Sequence, residues 1–146
     1  MQSAAEKMRV GEQAEAATET VLTAAGWEVI NLNKLAKNFR FIDLLAKQGS
    51  AWLLIQVKGT TTDEGMFHAL PERARALNSL AEHLDAHALY ALVHLTPDGP
   101  VIHFGHALSV ASRAAERIAG YQGILRHHLY ITDFDYEAAD LADFVE

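Results

Sequence analysis

Two apolar runs separated by a short polar turn stand out in the pattern of the chain, Phe41-Ile42-Asp43-Leu44-Leu45 and Trp52-Leu53-Leu54-Ile55-Gln56-Val57-Lys58. They predict a β-hairpin over Phe39–Thr60. Gly49-Ser50 is the natural two-residue turn, and glycine at its first central position suits type II′. Counting outward, Gln48 faces Ala51, Lys47 faces Trp52 and Asp43 falls opposite Gln56. Side chains alternate along a strand, so Asp43, Gln56 and Lys58 are expected on one face. Directly opposed Cβ atoms lie about 5 Å apart, and the diagonal to Lys58 is roughly 7–8 Å. An acid, an amide and an ammonium therefore gather where a purely structural hairpin needs none of them.

The rest of the chain frames this hairpin. Ser3 to Ala25 reads as a helix capped by Ser3, with Val10, Ala14, Ala17 and Val21 as its apolar stripe, Gly11 interrupting it and Glu12 on the opposite, solvated side. Gly26 closes that helix, and Trp27 to Leu32 alternates like a strand. A polar loop from Gly59 to Gly65 precedes a helix that starts at Pro71 and shows Leu77, Leu80, Ala81 and Leu84 on one face. Ala88 to Leu95 and Val101 to Phe104 are strands joined by the turn Pro97-Asp98-Gly99-Pro100. A helix capped by Ser109 is expected through Ala119, then a short strand at Leu129-Tyr130-Ile131 and a short acidic helix over Tyr136–Val145. Helix, three strands, helix, two strands, helix describes an α/β domain with a mixed sheet. The expected division is one domain over residues 1–132 and an acidic C-terminal segment over 133–146, docked as a helix through Tyr136, Leu141, Phe144 and Val145.

Composition narrows the chemistry. A chain of 146 residues that is half hydrophobic can bury one real core. It holds no cysteine, which excludes disulfides, thiolate zinc sites and cysteine nucleophiles. No apolar run approaches the roughly 20 residues of a membrane helix. The start M-Q-S-A-A-E-K-M-R lacks the pattern of a secretory signal, so a soluble cytoplasmic protein is expected. A net charge of −7 argues against broad coating of nucleic acid. Six of the acids lie in the last fourteen residues, however, leaving the first 132 with 12 basic and 13 acidic groups. Lys34, Lys37 and Arg40, just ahead of Asp43, form the densest basic run. The eight histidines show no metalloprotease or structural-zinc spacing, and His68, beyond Lys58, is an auxiliary candidate for the hairpin site. No G-x-G-x-x-G, Walker loop or G-x-S-x-G occurs, so no nucleotide cofactor is expected.

Gly11-Glu12 on a helix, Asp43 on a strand and Gln56-Val57-Lys58 on the next resemble the PD-(D/E)XK (restriction endonuclease-like) nuclease superfamily, closest in pattern to Holliday-junction resolvases. The resemblance covers roughly residues 8 to 104. It implies an αβββαβ core with a mixed central sheet flanked by helices. Ile42 replaces the proline that names the motif, and Gln56 gives a Q-x-K version found in some active members. By this resemblance Glu12, Asp43, Gln56 and Lys58 are catalytic. Asp43, Glu12, Gln56 and the Val57 backbone carbonyl hold Mg²⁺ (or Mn²⁺), a hard cation that takes oxygen ligands. The implied activity is metal-dependent hydrolysis of DNA phosphodiester bonds by an endonuclease or nicking enzyme. Lys34, Lys37, Arg40, Arg73 and Arg75 are the expected phosphate contacts. Cleavage of both strands would favour a homodimer carrying two sites. The competing expectation is a catalytically impaired nuclease fold serving as a nucleic-acid-binding or protein-interaction module.

Overall fold

The computed structural model describes residues 3–36, 42–121 and 124–144. Five strands form a central sheet in the order β1-β2-β3-β5-β6, comprising β1 (Glu28–Asn31), β2 (Leu44–Gln48), β3 (Ala51–Thr60), β5 (His87–Thr96) and β6 (Gly99–His106). β3 and β5 run parallel while the other pairs are antiparallel, so the sheet is mixed as expected. The helix α1 (Ala4–Ala24) covers one face, and α3 (Pro71–His83) and α4 (Ala107–Glu116) cover the other. Between them lie the four-residue α2 (Leu32–Leu35) and the short strand β4 (Met66–His68). Among the described residues, no helix is long and apolar enough to cross a membrane.

Alternation along β3 divides the interior. Leu53, Ile55 and Val57 pack with Ala14, Leu22 and Trp27 under α1, while Leu54 joins Ala74, Leu77 and Val110 under α3 and α4. Gln56 and Lys58 follow Leu54 toward the α3 side by the two-residue period. The turn is the one predicted: Gly49 sits at φ 61 and Ser50 keeps negative φ, with Gln48 facing Ala51 and Lys47 facing Trp52. Only glycine holds that first turn position without strain.

Helix α1 lies close on the sheet. A Cβ on Gly59 would stand 2.8 Å from the Ala14 Cβ and 3.1 Å from Val10, so glycine there permits the approach. The buried line of α1 is Ala14, Thr18 and Leu22, each fully buried. That line is rotated by roughly 60° from the stripe of alanines and valines, at about 100° per residue. Thr18 makes the rotation possible. Its hydroxyl bonds the Ala14 carbonyl at 2.7 Å, so a polar residue enters the core with its hydrogen bond satisfied inside its own helix.

The C-terminal third departs from expectation. Helix α4 begins at Ala107 and ends at Glu116, because Ala107, Val110, Ala111 and Ala114 supply a buried face at helical spacing. The chain then returns as a hairpin of β7 (Ile118–Tyr121) and β8 (Ile124–Tyr130), and β8 also pairs with β4. The final segment is two 3-10 turns, Ile131–Asp133 and Ala138–Asp140, and the single-turn α5 (Leu141–Phe144), not one helix from Tyr136. It packs on the body: Leu141 is fully buried, and the Tyr136 carbonyl accepts from the Phe104 N–H at 2.8 Å. Asp133, whose side chain is 6% exposed, takes a two-pronged bond from Arg117 at 2.8 and 2.9 Å.

Candidate active site

The site forms where the sheet forks. Strand β2 ends with Leu44 facing Ile55, while β3 continues along β5 to Thr60. Among the described residues, this edge of β3 has no partner strand beyond Ile55, and Asp43 takes its place. The Asp43 N–H donates to the Ile55 carbonyl at 2.8 Å, and its carboxylate Oδ2 accepts from the Val57 N–H at 2.7 Å. Ile42 and Leu44, two residues apart, pack into opposite cores, so alternation breaks between them. This corrects the counted register. Asp43 does not sit across from Gln56 as the next rung; it steps out of the ladder as in a bulge, and its side chain reaches along the sheet edge to Val57. In an extended strand, one residue's N–H and C=O point the same way, so the Val57 carbonyl also opens on the fork.

A second carboxylate is drawn in by two asparagines. Asn31 caps α2, its Oδ1 accepting from the Asn33 N–H at 3.0 Å, which fixes the turn that leaves β1. The Leu32 N–H donates to the Asp43 carbonyl at 3.0 Å and ties that turn to the fork. Asn33 then donates its Nδ2 to Asp43 Oδ1 at 2.9 Å and to Glu15 Oε2 at 3.1 Å, while Asn31 Nδ2 lies 3.4 Å from Glu15 Oε1. Burial raises the Glu15 pKa above the usual carboxylate value, with Asp43 and Glu19 adding to the rise and the bonds from Asn33 and Asn31 opposing it. The helix acid tied to Asp43 through Asn33 is thus Glu15, while Glu12, the helix acid expected from the resemblance, is exposed one turn earlier on α1. Glu12 and Glu15 line the same groove of about 790 Å³, together with Asn31, Asn33 and Lys34. The rotation of the buried line of α1 toward Thr18 brings Glu15 to its flank and leaves Glu12 farther round. Among the described residues no three histidine or carboxylate side chains form a ready-made metal cluster. Glu15 and Asp43 are a pair.

On the α3 side of β3 stand the polar groups of the motif. Gln56 is paired with Tyr90 of β5. Lys58 is partly buried, which lowers its pKa; Asp43 pulls the value up and Arg73 pushes it down. Tyr90, unremarked in the sequence because it sits within an apolar strand, feels the same groups. Burial pushes its phenol up to about 12, with Arg73 lowering and Asp43 raising it. His68 shares a second groove with Lys58, Lys7 and Thr60 to Thr62. Its pKa is lowered, first by burial and then by His128, Arg126 and Lys58, and its ring meets that of His128 at 4.9 Å. Of the proposed phosphate contacts, Arg73 lies at the site electrostatically, and Arg75 is exposed roughly 200° farther around α3. Lys34 is exposed and 3.5 Å from Glu19. Lys37 and Arg40 lie outside the described residues. Other histidines bond backbone carbonyls: His83 with Ser79, His94 with Thr62, His103 with Ile131 and His127 with Ala114.

No family model matches the chain. It is 35% identical over 80 residues to UPF0102 proteins of two Caulobacter vibrioides strains, a match covering 54% of this chain and 63% of theirs. The chain therefore spans less than two thirds of the length of these curated relatives. Among solved structures it superposes on Hjc, a Holliday junction resolvase from Archaeoglobus fulgidus, with a TM-score of 0.62 and 18% identity, covering 91% of this chain and 95% of that one. A nuclease from a fusellovirus gives 0.51 and 10%, covering 99% and 94%. The chain has the restriction endonuclease-like nuclease fold.

Proposed function

We propose that this protein is a Mg²⁺-dependent (or Mn²⁺-dependent) nuclease that hydrolyses DNA phosphodiester bonds, as an endonuclease or nicking enzyme. The observation that carries it is the convergence of Asp43 and Glu15 on one amide at the fork, with Lys58 beside them. The donors suit a hard cation: two carboxylates, the Gln56 amide and the Val57 carbonyl are all oxygen ligands. Glu15 takes the part that the resemblance implied for Glu12. When bound, the cation supplies charge to polarise the phosphodiester and to lower the pKa of a water.

The chain's own groups do the remaining work. Asp43 is held in place by the Val57 N–H bond to its Oδ2, so the carboxylate is oriented before any cation binds. Lys58, on the next position of the same strand, stabilises charge that builds on the phosphoryl oxygens. Arg73 extends that field, and Lys34, itself exposed, can exchange its partner Glu19 for a phosphate, since surface pairs are worth only about 0–1 kcal/mol. Arg75, Lys37 and Arg40 remain proposed backbone contacts, His68 an auxiliary beside Lys58, and a two-fold dimer the assembly that cuts both strands.

Cleavage of plasmid and branched DNA with and without Mg²⁺ tests this. Asp43→Asn and Lys58→Met should each lower the rate by about 10²–10³. Variants as active as wild type would sink the mechanism. One observation favours the second reading, a binding module: Gln56 stands where a third acid would bind the cation more strongly. DNA binding without cleavage at any metal concentration would select it.

A further inference from the structure

The amide nitrogen of Asn33 occupies an unusual position. It lies 2.9 Å from Asp43 Oδ1 and 3.1 Å from Glu15 Oε2, so one NH₂ group serves two carboxylates. Two acids brought this close repel, and part burial of Glu15 adds to the cost of its charge. The carboxamide's two N–H bonds supply partial positive charge at the one point where it offsets both. The position is built and not incidental. Asn31 caps α2 and bonds the Asn33 backbone N–H, and Leu32 between them bonds the Asp43 carbonyl.

We infer that Asn33 is a clasp that holds Glu15 against Asp43 in the cation-free protein and yields the place between them to the divalent cation. An N–H group cannot face a cation at close range. The carboxamide must therefore turn or withdraw when the ion arrives, and turning by half a revolution presents its oxygen instead. Asn31 stays on Glu15 and keeps that carboxylate from swinging away during the exchange. Asn33 is thus a positioning residue, one that substitutes for charge before the metal and makes room for it afterwards. The exchange rests on the metal-dependent reading above; the clasp does not.

Two measurements separate them. In EDTA, Asn33→Leu should lower the melting temperature by roughly 3–6 °C. In a Glu15→Gln background, where there is no longer a pair of charges to offset, the same change should cost less than half as much. Equal losses in both backgrounds would overturn the clasp. In the folded wild-type protein, the side-chain NH₂ resonances of Asn33, assigned by their loss in Asn33→Asp, should move as Mg²⁺ is titrated, in step with the Val57 backbone amide. Movement of Val57 without Asn33 would overturn the exchange alone. Movement of neither up to tens of millimolar Mg²⁺ would overturn the exchange and the metal-dependent reading together, and the melts in EDTA would still decide the clasp.

Discussion

At its turn end the β2–β3 hairpin is held by near neighbours: Gln48 faces Ala51, Lys47 faces Trp52, and the Lys47 ammonium lies 5.4 Å over the Trp52 ring. At its open end the same two strands are held by distant ones. Asp43 bonds Val57, fourteen residues on, and Asn33 links it to Glu15, eighteen residues from Asn33. The turn end satisfies its backbone by strand pairing, the cheapest means available. The open end uses charged and amide side chains for the same purpose, at positions where apolar residues would have packed. Side chains of that kind are costly to gather. A hairpin can thus be held at one end by local geometry and at the other by long-range bonds between polar side chains.

Two substitutions sharpen the contrast. The larger effect is expected from Gly59→Ala, which drives a Cβ into Ala14 and Val10 where α1 crosses β3. Overpacking of this kind costs about 1–3 kcal/mol. Because α1 carries Glu15, the variant should lose both stability in urea melts and metal-dependent cleavage. The smaller effect is expected from Gly49→Ala at the turn. Nothing lies within 4 Å of the added Cβ, so the cost is only that of holding an L-residue at φ 61. That cost is roughly 1–2 kcal/mol, and cleavage at a temperature well below melting should be unchanged. A turn variant that lost activity while staying folded would break the separation of the two ends.

The same contrast explains what the sequence made legible. Turn type and register near Gly49-Ser50 follow from residues within a few positions, and so did the apolar faces that give a mixed sheet with helices on both sides. The register failed at Asp43, because counting outward presumes a continuous ladder and β2 stops at Leu44. Glu12 was named by the resemblance of Gly11-Glu12 to the family's helix acid, and the stripe of alanines and valines set it on the solvated side; the buried line runs through Thr18, whose hydroxyl is satisfied inside its own helix, and so places Glu15 beside the site. Asn31 and Asn33 left one faint signal, an asparagine at a strand end where a helix could be capped. Strand β7 was missed because it follows α4 after a single residue and resembles a fraying helix end, and of β8 only its last residues, Leu129-Tyr130, were expected as strand.

Asp43 and Glu15, rather than Asp43 and Glu12, are the acid pair proposed for the site. Cleavage rates of Glu15→Gln and Glu12→Gln, measured side by side at saturating Mg²⁺ on one DNA substrate, test it most directly. A loss of about 10²-fold or more is expected for Glu15→Gln and a change within a few fold for Glu12→Gln, on the scale of removing one preorganised charged group. The reverse order, with Glu12→Gln inactive and Glu15→Gln near wild type, would contradict it.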